Sequence, residues 1–240
     1  MDAILQLKDI SQQFNQRNIL NNIEFDIQKG EIFGLLGPSG AGKTTLVKMM
    51  TGTLVPTEGQ VFMNGEQIPS LEQMKKYGFM AQSDALYQEL TAYENLDFFG
   101  SLYKMSKTYR KKRISEVMEM VDLSGHLHQP VETFSGGMKR RLSLAAALMH
   151  EPELIILDEP TVGIDPVLRQ SIWNELQRLK EKGITIVVTT HVMDEAEKCD
   201  RLALLREGEV IALNTPSQLK ETIGVASIEE VFLHYGGGNQ

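Results

Sequence analysis

A short glycine-rich segment carries the clearest chemical pattern in this sequence, G-x-x-x-x-G-K-[ST]. Its residues are Gly37, Pro38, Ser39, Gly40, Ala41, Gly42, Lys43, Thr44 and Thr45. The glycines let the backbone turn tightly and present its N–H groups to phosphate oxygens, and Lys43 can reach the β- and γ-phosphates of a nucleotide. The hydroxyl group of Thr44 can ligate Mg²⁺. The segment therefore predicts binding of a nucleoside triphosphate.

This loop needs a strand before it and a helix after it. The segment Glu31–Leu36 is mainly apolar, as in a buried strand, and the apolar residues between positions 46 and 50 suit a helix that begins at about Lys43. The N-terminal end of such a helix directs its positive dipole at a bound anion. The alternative is a glycine-rich turn that fits the pattern by accident, and such a turn would not require these neighbours.

Two acidic residues, Asp158 and Glu159, directly follow the apolar run Leu154–Leu157. A buried parallel strand has this composition, and ligands bind at the carboxyl ends of the strands in open α/β sheets. There Asp158 would hold Mg²⁺ directly or through water, and Glu159 would orient or deprotonate an attacking water molecule. The alternative is a strand that ends in a solvated acidic turn.

A histidine, His191, ends another apolar run that begins at Gly183. An isolated histidine after a strand is usually a cap or a satisfied polar group. The run predicts a second buried strand, which would place His191 at the same sheet edge as Asp158 and Glu159 and so favours a functional role.

Paired glycines precede a predicted long helix. Ser135, Gly136 and Gly137 come before the segment Lys139–His150, whose apolar residues recur at helical spacing. A plain helix start would need only Ser135 as a cap, so the glycines predict a second loop that exposes N–H groups at the positive end of the helix dipole.

Half-buried strands are predicted near the N-terminus. Apolar residues alternate with polar ones between Ile4 and Ile27, with a polar joint at Ser11–Asn18. Phe14 lies within that joint. Its position alone leaves two interpretations open, a hydrophobic plug on the strand pair or a stacking platform for an adenine ring.

Strand patterns stop after residue 82 and helical spacing takes over until about residue 150. Thr91 and Glu94 form a capping-box pattern at the start of this part. We therefore predict a helical lobe at 83–150, inserted into an α/β core made of 1–82 and 151–240. The basic run Lys107–Arg113 is expected to form a solvated helix face.

Composition sets limits on the class of protein. The chain has 240 residues, 42% of them hydrophobic and 23% charged, and a net charge of -8, which argues against a nucleic-acid-binding protein. Its single cysteine, Cys199, forms no internal disulfide, is expected to fill the core, and fits a reducing cytosol. No apolar run is as long as a membrane span, and the polar start does not resemble a signal peptide. Any association with a membrane should therefore come through a partner.

Together these segments resemble an ATP-binding cassette (ABC) transporter ATPase over essentially the whole chain. The motifs in chain order are the phosphate loop at 37–45, Gln82 at the Q-loop position, Ser135-Gly136-Gly137 as the signature, Asp158-Glu159 as the Walker B pair, Asp165 in the D-loop and His191 as the switch histidine. Phe14 falls where the family has its adenine-stacking aromatic. The resemblance implies a single domain over 1–240 with an α/β P-loop NTPase core, a mainly parallel sheet, an antiparallel β subdomain and the inserted helical lobe.

The resemblance also implies a mechanism with ATP and Mg²⁺ as cofactors. Two cassettes would bind two ATP molecules head to tail, so that the signature of one subunit contacts the γ-phosphate held by the other. Glu159 would polarise the water, His191 would contact the γ-phosphate, and Gln82 would touch Mg²⁺ together with Thr44 and Asp158. The second cassette could be a copy of this chain or a different one, and a polytopic membrane permease would be the further partner.

Some residues depart from the commonest family pattern. Phe134 and Met138 flank the signature where leucine and glutamine are typical, and Val162 replaces a small polar residue. Several segments, among them Leu90–Leu96 and Ser227–Leu233, resemble the ATPases of bacterial type-two ABC exporters. This class implies a cytoplasmic protein attached to the inner face of the membrane by its permease. The alternatives are an importer cassette, a soluble ABC ATPase that acts on DNA or ribosomes, and another P-loop enzyme such as a small-molecule kinase.

Overall fold

The computed structural model describes residues 3–83 and 85–235. Among them, one compact unit comprises the residues up to Met74 together with those from Thr185 onward, and a second runs from Lys75 to Ile184. The inserted helical lobe at 83–150 stays a prediction about how the chain is divided.

Ten strands and nine α-helices are found among the described residues, numbered here in chain order. The strands are β1 (Ala3–Phe14), β2 (Arg17–Gln28), β3 (Ile32–Leu36), β4 (Glu58–Met63), β5 (Glu66–Gln67), β6 (Tyr77–Met80), β7 (Leu154–Asp158), β8 (Thr185–Thr190), β9 (Arg201–Arg206) and β10 (Glu209–Asn214). The helices are α1 (Lys43–Met50), α2 (Leu71–Met74), α3 (Ala92–Leu102), α4 (Lys107–Met120), α5 (Gly136–Leu148), α6 (Pro166–Glu181), α7 (Met193–Ala196), α8 (Pro216–Ile223) and α9 (Ile228–Tyr235).

The first unit contains an antiparallel sheet in the order β2-β1-β4-β5. The predicted strand pair is confirmed, but the polar joint at Ser11–Asn18 is wrong. Pairing continues to Phe14 opposite Arg17, and only Asn15 and Gln16 turn, both with positive φ. Polar side chains do not interrupt this hairpin, because the backbone hydrogen bonds continue and one face of the sheet is exposed to water. A two-residue turn with positive φ also matches the twist of the strands.

The same unit also contains the strand that leads into the phosphate loop. All of β3 is buried, and it pairs in parallel with β8 on one side and β9 on the other, while β10 returns antiparallel to β9. Close packing requires a glycine within β3, because a Cβ atom at Gly34 would lie 2.5 Å from Leu202 Cδ2 and 2.8 Å from Cys199 Sγ. Cys199 is buried, so the expectation that it fills the core is confirmed.

The second unit joins the parallel pair β6–β7 to helices α3 to α6. The capping box is confirmed at the start of α3, where the Thr91 hydroxyl accepts from the Glu94 N–H and the Glu94 carboxylate accepts from the Thr91 N–H. The expected solvated face of α4 is wrong for Arg113, which is buried and donates to the backbone carbonyl of Leu148 at 2.8 Å. Its long apolar stem packs in the core while the guanidinium group satisfies the C-terminal carbonyls of α5.

The helix after the signature begins earlier than its pattern predicted. It starts at Gly136 and not at Lys139, with Ser135 as the N-cap accepting from the Met138 N–H at 3.2 Å. A serine cap fixes the first turn regardless of the side chains that follow, so both glycines are helical residues rather than a loop. Among the helices in the described ranges, none is long and apolar enough to cross a membrane.

Candidate functional site

The phosphate loop connects β3 to α1 in the predicted strand–loop–helix arrangement. Gly40 and Gly42 have φ values of 82° and 105°, which glycine adopts readily, and α1 begins at Lys43. A Cβ atom at Gly37 would lie 2.3 Å from the backbone oxygen of Leu205, so packing requires glycine there as well. The loop therefore has the backbone shape that its sequence pattern predicts.

Lys43 is folded over this loop. The side chain is 5% exposed, and its ammonium group donates to the backbone oxygens of Gly37 at 2.7 Å and Pro38 at 3.1 Å. The two threonines that follow occupy the first turn of α1, with Thr44 exposed and Thr45 half-buried. The cation thus lies at the mouth of the loop, where a polyphosphate would offer it oxygen atoms in place of the two carbonyls.

The switch-histidine position adjoins the same loop through the backbone. The Gly37 N–H donates to the carbonyl of Thr190, the last residue of β8, at 3.3 Å, and His191 follows as an exposed residue. The Thr190 hydroxyl donates to the Glu195 carboxylate at 2.7 Å and accepts from the Val192 N–H at 3.0 Å, which fixes the turn that carries His191.

A cavity of about 640 Å³ lies beside the loop within the first unit. The lining consists of Pro38–Ala41 of the loop, Arg17–Ile19, Arg206–Gly208, and Phe232 with Leu233. Phe14 is 44% exposed at the end of β1 and stands opposite Arg17 in the hairpin. The structure thus places Phe14 next to a residue that lines the cavity.

The acidic pair lies in the second unit, at the carboxyl end of β7. Asp158 is the last residue of the strand and is 2% exposed, whereas Glu159 adopts a left-handed φ of 50°. A non-glycine residue in this region carries a strain of about 1–3 kcal/mol, which is characteristic of functional sites. The Gln82 amide donates to the Glu159 carboxylate at 3.2 Å, so two predicted site residues meet here.

A residue that the sequence analysis missed, Arg140, supports this pair. It is buried in α5, and its guanidinium group donates to the carbonyls of Ala81 and Gln82 at 2.9 Å and of Glu159 at 2.7 Å. These three carbonyls flank both the Gln82 and the Glu159 side chains. The only sequence signal for a buried Arg140 was its position four residues before Leu144, on a helix face that is buried in the structure.

The two signature glycines differ in their surroundings. A Cβ atom at Gly137 would lie 2.1 Å from Leu168 Cδ2, whereas nothing lies within 4 Å of one at Gly136. Leu168 belongs to the first turn of α6, where the Asp165 side chain accepts from the N–H groups of Val167 and Leu168, both at 3.0 Å. The close approach of Leu168 gives a packing reason for Gly137, and two hydrogen bonds make Asp165 a helix cap, whereas neither reason applies to Gly136.

Comparison with known proteins decides the family. Residues 20–162, more than half of the chain, match the family model described as ABC transporter. The chain belongs to the ABC transporter family. It therefore binds and hydrolyses ATP as the ATPase of such a transporter, and the predicted α/β fold with a P-loop core and an antiparallel sheet is confirmed.

Two curated relatives and one solved structure are similar to this chain over most of its length. The linearmycin resistance ATP-binding protein LnrL of Bacillus subtilis (strain 168) is 42% identical, covering 96% of this chain and 78% of that protein. The Nod factor export ATP-binding protein I of Neorhizobium galegae is 40% identical, covering 98% and 67%. A dimeric post-hydrolysis structure of the cassette MJ0796 bound to ADP and Pi superposes with a TM-score of 0.81 at 29% identity, covering 88% and 98%.

Proposed function

We propose that this ABC ATPase powers an exporter and that Glu159 and Gln82 form the centre of its hydrolytic site. The observation that carries the proposal is the contact between the Gln82 amide and the Glu159 carboxylate, with Arg140 holding the backbone on both sides. Catalysis of phosphoryl transfer consists mainly of positioning and charge stabilisation. Glu159 meets that requirement, because Arg140 holds its backbone carbonyl and the Gln82 amide donates to its carboxylate at the end of a buried strand.

The nucleotide-binding residues are those of the phosphate loop, 37–45, together with Phe14 as the aromatic beside the base. Thr44, Gln82 and Asp158 are the proposed Mg²⁺ ligands, because their side-chain oxygen atoms are of the type that this ion prefers. When bound, Mg²⁺ would neutralise charge on the phosphate oxygens. Among the described residues no group of three or more His, Cys, Asp or Glu side chains could hold a metal ion.

Within this site Glu159 orients the attacking water and accepts its proton. His191 donates a hydrogen bond to the γ-phosphate, and Lys43 exchanges its two loop carbonyls for phosphate oxygens. Protein groups thus place the nucleophile and stabilise charge on the phosphate.

The signature sequence is proposed to act on the nucleotide of a second cassette. Ser135, Gly136 and Gly137 start a helix whose first-turn N–H groups and positive dipole attract an anion. The open space at Gly136 supports the close approach of a phosphate, because packing gives no reason for a glycine there. Asp165 would lie at the same contact between subunits. The partner is a second copy of this chain or a related cassette, and the dimeric relative supports such pairing.

A membrane permease is the proposed second partner, and the export named for one relative supports this direction of transport. Tyr87 offers a docking point, since it is 46% exposed and its ring meets that of Phe98 edge to face at 5.0 Å between centroids. Asn95 fixes this segment by bonding the Tyr87 N–H and carbonyl at 2.9 and 3.0 Å. The chain would then lie at the inner face of the cell membrane and would not bind nucleic acid. Tyr87→Ala should abolish transport and leave ATP binding intact; normal transport would exclude this docking point.

The hydrolytic proposal is tested by measuring phosphate release and ATP binding in parallel. Glu159→Gln should lower kcat by about 10²–10⁴-fold, the usual contribution of a general base, while ATP still binds. Equal hydrolysis by this variant and the wild type would refute the role of Glu159. Transfer of the γ-phosphate to an acceptor molecule instead of water would favour the kinase alternative.

A further inference from the structure

The cavity beside the phosphate loop is lined in part by residues that none of the recognised motifs includes. Phe232 and Leu233 of α9 line the cavity together with Pro38–Ala41 of the loop. Its volume of about 640 Å³ falls within the range of about 300–1,000 Å³ typical of small-molecule sites. The cavity therefore combines phosphate-binding backbone, an apolar wall with an aromatic ring, and the space for a ligand of drug size.

Arg17 provides a cation at the rim of this cavity. It faces Phe14 across the two-residue turn of the hairpin, and directly opposed residues of an antiparallel pair share a face of the sheet. The Arg17 guanidinium group makes no hydrogen bond or ion pair within 3–83 or 85–235. Arg206, the other arginine of the lining, is held by Glu207 at 3.5 Å. Arg17 is thus the cation with unused donors beside the phosphate loop.

The position of Phe232 does not depend on a ligand, because α9 is anchored to the rest of the first unit by contacts of its own. Ile228 and Val231 are buried, and the Ile228 N–H donates to the Glu197 carboxylate at 3.3 Å. The Glu230 carboxylate accepts from the N–H of Ser227 at 3.0 Å, while the Ser227 hydroxyl accepts from the Glu230 N–H at 3.2 Å. This capping box fixes the first turn of α9, the helix that carries Phe232 at the cavity.

We propose that Phe232 and Arg17 are nucleotide-binding residues of this chain. The Phe232 ring contacts the base of ATP from the side of α9, and the Arg17 guanidinium donates to oxygens of the phosphate chain. The assignment rests on the proposed binding of ATP by the loop at 37–45. It adds helix α9, distant in sequence from every motif, to the site that sets the affinity for ATP.

The chemistry of the walls favours a nucleoside triphosphate over a purely anionic ligand. A phosphate or sulfate ion would use the loop and Arg17 and would gain nothing from an aromatic ring. A flat base gains from stacking against a phenyl ring, whichever base it is. A segment of a second subunit that covers Phe232 and Leu233 is the competing occupant, and nucleotide binding by the isolated chain distinguishes the two.

The test compares two probes, ATP and inorganic tripolyphosphate, by calorimetry on the full chain in EDTA so that hydrolysis does not intervene. Phe232→Ala should raise the Kd for ATP about tenfold, which corresponds to about 1.4 kcal/mol, and should leave the Kd for tripolyphosphate unchanged. Arg17→Gln should raise both Kd values by similar factors, and the effect should shrink at high salt. Tyr235→Ala on the same helix and Lys29→Gln are matched controls, since neither residue lines the cavity.

Three results would overturn the proposal. ATP binding by Phe232→Ala at wild-type affinity would show that the base does not touch this ring. An equal loss for ATP and tripolyphosphate would show that α9 acts through the loop and not on the base. Failure of Phe232→Tyr, which keeps a stacking ring, to restore affinity would exclude stacking. In contrast, a wild-type chain that binds neither probe would contradict nucleotide binding by the loop itself.

Discussion

Replacing Arg140 by methionine is the sharpest test of how the hydrolytic centre is held. The guanidinium group donates to three backbone carbonyls at 2.7–2.9 Å, those of Ala81, Gln82 and Glu159. Methionine keeps the apolar stem and removes every donor. Hydrogen bonds to a charged group contribute about 1.5–3 kcal/mol each, and an acceptor left buried without a partner costs about 1–3 kcal/mol.

These contributions overlap, so we expect Arg140→Met to lower the free energy of unfolding by about 3–5 kcal/mol, the usual cost of breaking a buried charged contact. For a protein of this size 1 kcal/mol shifts Tm by about 2–4 °C, so Tm should fall by about 10 °C. Because the carbonyls flank the Gln82–Glu159 contact, kcat should also fall more than tenfold, while the Kd for ATP changes less. Denaturant unfolding and phosphate release measure the two effects.

Two further variants calibrate this prediction. Lys112→Met removes a cation whose side chain is 72% exposed and paired with the partly exposed Glu116 at 3.5 Å, so it should cost less than about 1 kcal/mol. Arg140→Lys keeps the charge but places it on a single nitrogen, so its free energy of unfolding should lie between those of the wild type and Arg140→Met. The reasoning would be refuted if the free energy of unfolding of Arg140→Met lay within about 1 kcal/mol of the wild-type value and the variant hydrolysed ATP at the wild-type rate.

Two other predictions concern packing and pH. Gly34→Ala should lower the free energy of unfolding by about 1–3 kcal/mol, because the added Cβ atom would lie 2.5 Å from a side-chain carbon. Gly125→Ala is the control and should change this free energy little, because nothing lies within 4 Å of a Cβ atom there. Equal denaturation midpoints for the two variants would contradict the prediction. Burial lowers the pKa of His150, whose Nδ1 atom has no hydrogen-bond partner within the described residues. The unfolded chain therefore binds the proton more readily, and stability should decrease as pH falls through about 6.5. His150→Gln should reduce that slope in urea unfolding between pH 7.5 and 5.5, and an unchanged slope would exclude His150 as its cause.

The phosphate loop and the acidic strand end could be predicted because each is a local pattern. An apolar run before glycines or acids specifies a strand and the group at its end, and β3 with its loop and β7 with Asp158 have the form that this pattern predicts. The start of α5 could not be placed from apolar spacing, because Ser135 sets it through a cap rather than through packing.

The supporting residues escaped prediction because their partners lie far away in the sequence. Arg140 bonds the carbonyl of Ala81 from 59 positions further along, and backbone carbonyls leave no pattern among side chains. The Leu168 side chain packs where a Cβ atom at Gly137 would lie, and the spacing of residues in the sequence does not reveal this contact. Phe232 lies at the other end of the chain from the loop whose cavity it lines, and only the fold brings them together.

Pairing of two cassettes around ATP is the central claim, and the mass of Glu159→Gln in solution tests it most directly. This variant should retain ATP without hydrolysing it, so light scattering with saturating ATP should give twice the 26.9 kDa of one chain, and removal of ATP should return the monomer. Ser135→Arg, which would obstruct the signature, should abolish the dimer. A mass that stays at 26.9 kDa with ATP bound would contradict pairing between copies of this chain.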